Sequence, residues 1–246
     1  MPLAGKGMLL TSMDVDPSHE AEFNRWYDHE HLEERVAIDG FLEARRYVAD
    51  QASPKYLNLY STESFDVLDS PAYRNALANQ TDWSRTNIAR FKNMIRAVAR
   101  ITISRGQGRG AALGILRLRP SAGREDRLRT ALRERLEPEQ LDGIISMHLI
   151  ESDPMLSKPI TDDRAAPNPG AGDWFVLIDG THVNAISAAY RSSLHGFRIR
   201  AGNKDIGGQL SSDVGFGAER PPAVLNQGPR VRNTSFAAVP HASPPH

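Results

Sequence analysis

The 246-residue chain has no cysteine, no net charge and no long apolar run, and each absence excludes a class of protein. Without cysteine there are no disulfides, no thiol catalysis and no thiolate-bound metal, so a cytoplasmic location is the default expectation. Lysine plus arginine and aspartate plus glutamate both number 30, a balance that argues against general nucleic-acid binding. No stretch is apolar and long enough to span a bilayer, and residues 1–7 lack the apolar core of a signal peptide, so we expect no membrane partner.

The first half of the chain shows one ordered pattern of strands and helices. Runs rich in apolar and β-branched residues predict strands at 7–15, 41–49, 56–62 and 95–104. Helices are expected at 16–38, after the Asp16-Pro17-Ser18 start, and at 70–93, as one helix or two. The order β-α-β-β-α-β is that of a ferredoxin-like domain.

The same pattern restarts after a glycine-rich linker at 106–110. Pro17-Ser18 matches Pro120-Ser121, and Asp39-Gly40 matches Asp142-Gly143 at the same spacing, which indicates a repeated unit. The second copy predicts strands at 111–118, 144–150, 174–178 and about 209–216, helices at 119–136 and 182–191, and a loop at about 154–172. We therefore predict an α+β chain with tandem ferredoxin-like domains at 1–105 and 111–220, and a proline-rich tail at 221–246.

The first helix contains the conspicuous segment Trp26-Tyr27-Asp28-His29-Glu30-His31. At roughly 100° per residue, Phe23 and the Trp-Tyr pair lie on one face, whereas Leu32 and Val36 lie nearly opposite. A single straight helix would then carry two opposed apolar stripes. We therefore expect a phase slip inside the segment, where one helix ends and a second short helix begins, with His31 at or just past the bend.

This segment carries a family resemblance. Phe23-Asn24-Arg25-Trp26-Tyr27-Asp28-His29-Glu30-His31-Leu32, followed by Gly40-Phe41-Leu42-Glu43-Ala44-Arg45-Arg46-Tyr47, resembles the EthD-like family of the dimeric α/β-barrel superfamily. The family's histidine matches His31, and its usual proline before the glycine is Asp39 here. The close resemblance covers residues 7 to about 105, and the second copy resembles the fold only.

The resemblance implies that two four-stranded antiparallel sheets pack together as a barrel. Because one chain carries two copies, closure within the chain is one possibility, and a homodimer of chains is also left open. It also implies a small-molecule substrate as partner. The reactions of such relatives range over cofactor-free oxygenases, isomerases, decarboxylases and dehydratases, and the wider superfamily includes proteins that use haem.

His31 is the principal catalytic candidate, because a neutral imidazole takes or gives a proton near physiological pH. The alternative is a structural histidine at a helix break, although the matching position in the second copy is Glu134, which favours a role particular to the first copy. Tyr27 and Asp28 are its candidate neighbours, Tyr27 to reach the ligand and Asp28 to orient the ring. A core tyrosine and a solvated aspartate are the alternatives. The i, i+2 spacing of His29 and His31 does not share a helix face, so we expect no metal site.

The candidate substrate-binding residues lie on predicted strands: Arg45, Arg46, Tyr56, Asn58, Tyr60, His148 and Trp174. Since side chains alternate along a strand, we expect Leu57 and Leu59 to pack on the helices and the three polar residues between and beside them to line the barrel interior. Only one of the two adjacent arginines can face a cleft, where it would hold a carboxylate or enolate; a surface salt bridge is the alternative.

The two candidates of the second copy are chosen by alignment with the first. His148 aligns with Arg45 and Trp174 with Tyr56, and a satisfied core histidine is the alternative for His148. Together these features predict a cofactor-independent lyase or isomerase that uses His31 on a small hydrophobic or aromatic metabolite. A cofactor-free monooxygenase and a non-catalytic ligand-binding protein are the alternatives, and haem ligation by His31 is a third.

Overall fold

The computed structural model describes residues 3–50, 52–158, 170–194, 208–209 and 215–218. The strands are β1 Gly7–Asp14, β2 Phe41–Ala49, β3 Tyr56–Thr62, β4 Lys92–Gly106, β5 Ala112–Pro120, β6 Ile144–Ser152, β7 Trp174–Gly180, β8 Gly208–Gln209 and β9 Gly215–Ala218. The α-helices are α1 Glu20–Trp26, α2 Leu32–Val36, α3 Pro71–Ala78, α4 Asp82–Ile88, α5 Glu125–Arg133 and α6 Val183–Ala189. Short 3₁₀ turns occupy Pro17–His19, Phe65–Asp69 and Pro138–Gln140, and π-helical turns occupy Tyr27–His31 and Tyr190–Leu194. The predicted tail at 221–246, much of the predicted loop at 154–172 and the middle of the predicted strand at 209–216 lie outside the described residues.

The strands form an antiparallel barrel that closes within the chain. The first half contributes the order β4-β1-β3-β2, and the second half repeats it as β9-β5-β7-β6. Two antiparallel pairings join the halves, β4 with β6 and β2 with β9. The predicted α+β barrel of two ferredoxin-like sheets is therefore confirmed, and its closure needs no second chain. The exact domain limits stay a prediction.

The pairing register repeats as well as the order of strands. Arg45 lies opposite Leu59 in the first half, and His148 lies opposite Leu177 at the equivalent place in the second. The alignment of the two halves expected from the sequence, in which His148 matches Arg45, therefore holds in the pairing of β2 with β3 and of β6 with β7. Equivalent positions carry unlike side chains, so the two halves share a backbone plan and differ in chemistry.

The faces of β3 are the reverse of those expected. Leu57 and Leu59 belong to the barrel core with residues of both halves, including Leu113 and Phe175. The tyrosine–asparagine face instead lies under α1 and α2, so the prediction that it lines the barrel interior is wrong. All seven residues of β3 are buried. Because both faces of β3 are covered, the alternation of side chains assigns residues to two faces but does not show which face points into the barrel. The interior of an eight-stranded barrel is filled by the apolar side chains of its strands, here the leucines.

The first helix begins as expected and then changes register. Asp16 accepts a hydrogen bond from the Ser18 backbone N–H at 3.1 Å, and Pro17 occupies the first turn. The π-helical turn at Tyr27–His31 inserts the extra residue that the two apolar stripes demand. The phase slip is confirmed, but the expected break is wrong, because the helix runs on into α2. None of the helices in the described ranges has the length and apolarity needed to cross a membrane.

Candidate functional site

The π-helical turn brings Tyr27 and His31 together over the sheet. The His31 ring centroid lies 4.3 Å from that of Trp26 and 5.0 Å from that of Tyr27. Tyr60 of β3 approaches from the sheet, with its ring centroid 6.5 Å from that of His31. All four side chains are buried, so the candidate site lies at the interface between the first helix and the sheet, which is called the cleft below.

A row of polar residues crosses the sheet below this helix. Arg96, Thr11, Asn58 and Arg46 are successive neighbours on β4, β1, β3 and β2. Asn58 Nδ2 donates a hydrogen bond to Thr11 Oγ1 at 3.2 Å. Polar side chains in a helix–sheet interface need partners when water is excluded, and here they form a continuous floor.

Arg46 connects this floor to the helix. Its guanidinium carbon lies 4.3 Å from the Tyr27 ring centroid, and its Nη1 donates to Asp28 Oδ1 at 3.2 Å. Asp28 is half exposed and makes no hydrogen bond with His31. Its expected role in orienting the imidazole is therefore wrong, since its carboxylate holds Arg46 instead. Tyr56 lies farther out, where its hydroxyl donates to Glu20 and its ring packs on Arg46.

Arg35 belongs to the cleft and escaped the sequence analysis. It is 4% exposed, and its side chain makes no hydrogen bond or ion pair with any residue in the described part of the chain. Its side chain shares a helix face with His31, which lies four residues earlier in the sequence. This i, i+4 spacing is the sequence feature from which Arg35 could have been predicted as a neighbour of His31.

Several buried polar atoms of the cleft have no hydrogen-bond partner among the described residues. They are His31 Nδ1, Arg35 Nη1, Arg46 Nε, Asn58 Oδ1 and the Tyr60 hydroxyl. The Glu34 carboxylate lies 4.0 Å from His31 Nδ1, beyond hydrogen-bonding distance. Native proteins leave few buried polar atoms unsatisfied, so their clustering in one cleft is typical of a place filled by ligand or ordered water.

The electrostatics of the cleft keep its acid–base groups neutral. Burial, followed by the nearby charges of Arg35 and Arg46, holds the pKa of His31 well below its usual value. Burial raises the pKa of Tyr27 to about 12 and that of Tyr60 well above its usual value. At neutral pH the cleft therefore holds an unprotonated imidazole beside two protonated phenols.

The other candidates lie outside this cleft. Arg45 faces the barrel side of the sheet and pairs with Glu43. His148 also lies on that side, where its ring nitrogens contact Ser104 Oγ at 2.9 Å and Ser146 Oγ at 3.0 Å. The alternative of a satisfied core histidine is thus what the structure shows, and neither residue reaches His31. Alignment with a strand position could not reveal which face was functional.

Trp174 packs on the helix side of the second half. It belongs to the apolar core beneath α5, and the Arg129 guanidinium lies 5.2 Å from its ring centroid. Its expected place in a site shared with His31 is wrong, because each half covers its sheet with its own helices.

The linker contributes a buried ionic cluster at one end of the barrel. Arg109 donates to Asp179 Oδ1 at 3.1 Å, to Glu43 Oε2 at 3.3 Å and to the Tyr47 hydroxyl at 3.1 Å. A partly open cavity of about 60 Å³ lies in the barrel beside the β2–β3 connection, lined mainly by apolar residues of both halves such as Leu10, Leu57 and Phe175. That volume holds a few water molecules.

No metal-binding cluster of histidine, aspartate and glutamate occurs among residues that the structure describes.

No family model matches the chain, and no curated protein matches it. Solved structures do match. An anthrone oxidase-like protein has a TM-score of 0.56 at 12% identity, covering 87% of this chain and 92% of that chain. A candidate monooxygenase from Lactobacillus acidophilus NCFM has 0.55 at 9%, covering 87% and 93%. A candidate chlorite dismutase has 0.51 at 10%, covering 87% and 94%. At these identities the likeness shows the fold, that of the ferredoxin-like dimeric α+β barrels.

Proposed function

We propose that this chain is a cofactor-independent enzyme of the EthD-like type, in which His31 acts as general base on a small hydrophobic or aromatic metabolite. The observation that carries the proposal is the buried His31 Nδ1, which has no hydrogen-bond partner among the described residues and lies near Arg35 and Arg46. A histidine that served only to cap a carbonyl would have its nitrogen occupied by that carbonyl. The aromatic walls of Trp26 and Tyr27 suit an apolar substrate.

The chemistry follows from the charges around the imidazole. His31 removes a proton from carbon, and the electron pair left behind becomes negative charge on a conjugated substrate oxygen. The protonated Tyr27 and Tyr60 hydroxyls and the two guanidinium groups can stabilise that oxyanion. The imidazolium formed beside two cations is acidic, so it readily returns its proton. Return to a different carbon completes an isomerisation, and transfer to a departing hydroxyl completes a dehydration.

The base is tested with 5-nitrobenzisoxazole, a small aromatic probe whose ring opens when one carbon-bound proton is removed, giving a coloured phenolate. We expect wild type to accelerate the opening and His31→Ala to lose about a hundredfold of that acceleration. His29→Ala is the matched control, because His29 is exposed and two residues away. His31→Gln also removes the base but leaves a smaller void, so it tests the role of His31 even if the alanine variant fails to fold. Equal rates for wild type and both His31 variants would contradict the proposal.

The alternatives give different results in the same series. Oxygen consumption with anthrone, lost in His31→Ala, together with no opening of 5-nitrobenzisoxazole, would replace the lyase or isomerase with a cofactor-free monooxygenase. Binding without turnover of either probe would replace the enzyme with a ligand-binding protein.

A further inference from the structure

Arg35 is a buried cation that makes no ion pair in the described part of the chain, although its charge acts on the neighbouring Glu34 carboxylate. It is 4% exposed, its Nη1 has no hydrogen-bond partner, and no carboxylate of a described residue lies within ion-pair distance. Burial of a charge is costly unless the charge is paired or hydrogen-bonded. Other buried arginines in this protein obey that rule, as Arg109 does with Asp179 at 3.1 Å. Arg35 is therefore placed to bind an anion, which the described residues do not supply within ion-pair distance.

A second guanidinium acts on the same space. Arg46 is held in place by Asp28, while its buried Nε has no partner among described residues. Both arginines act electrostatically on the same three groups, His31, Tyr27 and Tyr60. Two cations and two protonated phenols thus surround one imidazole, and all of them except the imidazole favour negative charge nearby.

We infer that the cleft takes an anionic substrate, a small apolar molecule whose carboxylate or phenolate oxygen is bound by Arg35 with help from Arg46. The inference rests on the proposed function for the role of His31, but binding of the anion does not depend on turnover. A guanidinium offers planar paired donors that suit a carboxylate. Ordered water would satisfy the free N–H groups without neutralising the buried charge.

The test compares two probes of equal shape, benzoate and benzamide, by calorimetric titration of the full chain at low salt. We expect benzoate to bind about tenfold or more tightly than benzamide, because charge-assisted hydrogen bonds are worth about that factor or more. Equal affinities in the wild-type protein would overturn the inference without any need for a variant.

Variants of Arg35 test whether this residue binds the carboxylate of benzoate. Arg35→Gln should lose about tenfold or more in benzoate affinity while benzamide affinity stays the same, and Arg35→Lys, which keeps the charge, should lose less. Arg25→Gln is the control, because the Arg25 side chain is 64% exposed on the same helix. Unchanged benzoate affinity in Arg35→Gln would overturn the assignment.

One further comparison separates this inference from the proposed function. His31→Ala should bind benzoate and fail to open 5-nitrobenzisoxazole. If the base is needed but benzamide binds as well as benzoate, the anion inference alone fails. If benzoate binds through Arg35 but His31→Ala keeps full turnover, the proposed function alone fails.

Discussion

Buried histidines should make this fold sensitive to mild acid, and His148 gives the clearest case. Its side chain is fully buried in the barrel, where burial first and the charge of Arg109 second lower its pKa from 6.5 to about 3. Between pH 7 and pH 5 the unfolded chain binds a proton at this histidine and the folded chain does not. The stabilisation is therefore complete above pH 6.5, begins to be lost below it, and continues to fall until about pH 3.

The size of the loss follows from this difference. Because the folded pKa lies well below 5, the loss between pH 7 and pH 5 is set by the unfolded value alone. It amounts to about 2 kcal/mol for one histidine, at about 1.4 kcal/mol per pH unit once the unfolded side chain is mostly protonated. His31, whose pKa is also lowered by burial, adds a loss of the same sign.

The assay is urea unfolding at pH 7 and pH 5 for wild type and His148→Gln. Glutamine keeps a donor and an acceptor for Ser104 and Ser146 but cannot titrate. The variant should lose about 2 kcal/mol less than wild type on acidification, whatever its stability at pH 7. His29→Gln, at an exposed position, is the control. If wild type and His148→Gln lose the same free energy, the reasoning about a buried neutral histidine is refuted.

Three further predictions concern the linker and the cleft. Arg109→Met should lower the free energy of unfolding by about 3–5 kcal/mol in urea, because it leaves the buried Asp179 carboxylate without its cation, and a loss below about 1 kcal/mol would contradict this. Deletion of His29 should abolish opening of 5-nitrobenzisoxazole, because it removes the extra residue of the π-helical turn and rotates His31 by about 100° relative to α1; an active deletion variant would show that the turn is dispensable. Tyr27→Phe should slow the same reaction about tenfold with unfolding in urea nearly unchanged, and an unaltered rate would remove Tyr27 from the oxyanion site.

The repeated unit and the helical phase slip were open to prediction because both are local properties of the sequence. Matched Pro-Ser and Asp-Gly pairs fixed the spacing of the two halves, and the strand register then followed. The opposed apolar stripes around His31 required a change of helical phase, and the π-helical turn supplies it. Closure of the barrel could not be predicted in this way, since it depends on the pairing of β2 with a short strand far along the chain.

The site was harder to predict because it depends on which face of a doubly covered sheet meets the helix. Alternation grouped Tyr56, Asn58 and Tyr60 correctly but put them on the wrong side, since leucines fill the barrel and tyrosines lie under the helix. The same ambiguity explains why His148 was predicted as a substrate-binding residue, although its side chain lies on the barrel side of β6. Arg35 was overlooked because charged residues on helices are mostly solvated, and only its burial shows otherwise.

The most direct test of the account is the pH dependence of kcat/KM for opening of 5-nitrobenzisoxazole. With His31 as the base, the wild-type rate should rise through a single pKa below 6.5 and stay level above it, since burial and two arginines favour the neutral ring. His31→Gln should lose that inflection together with the rate. A profile with its inflection above 6.5, or one that His31→Gln leaves unchanged, would contradict the assignment of His31 as the catalytic base.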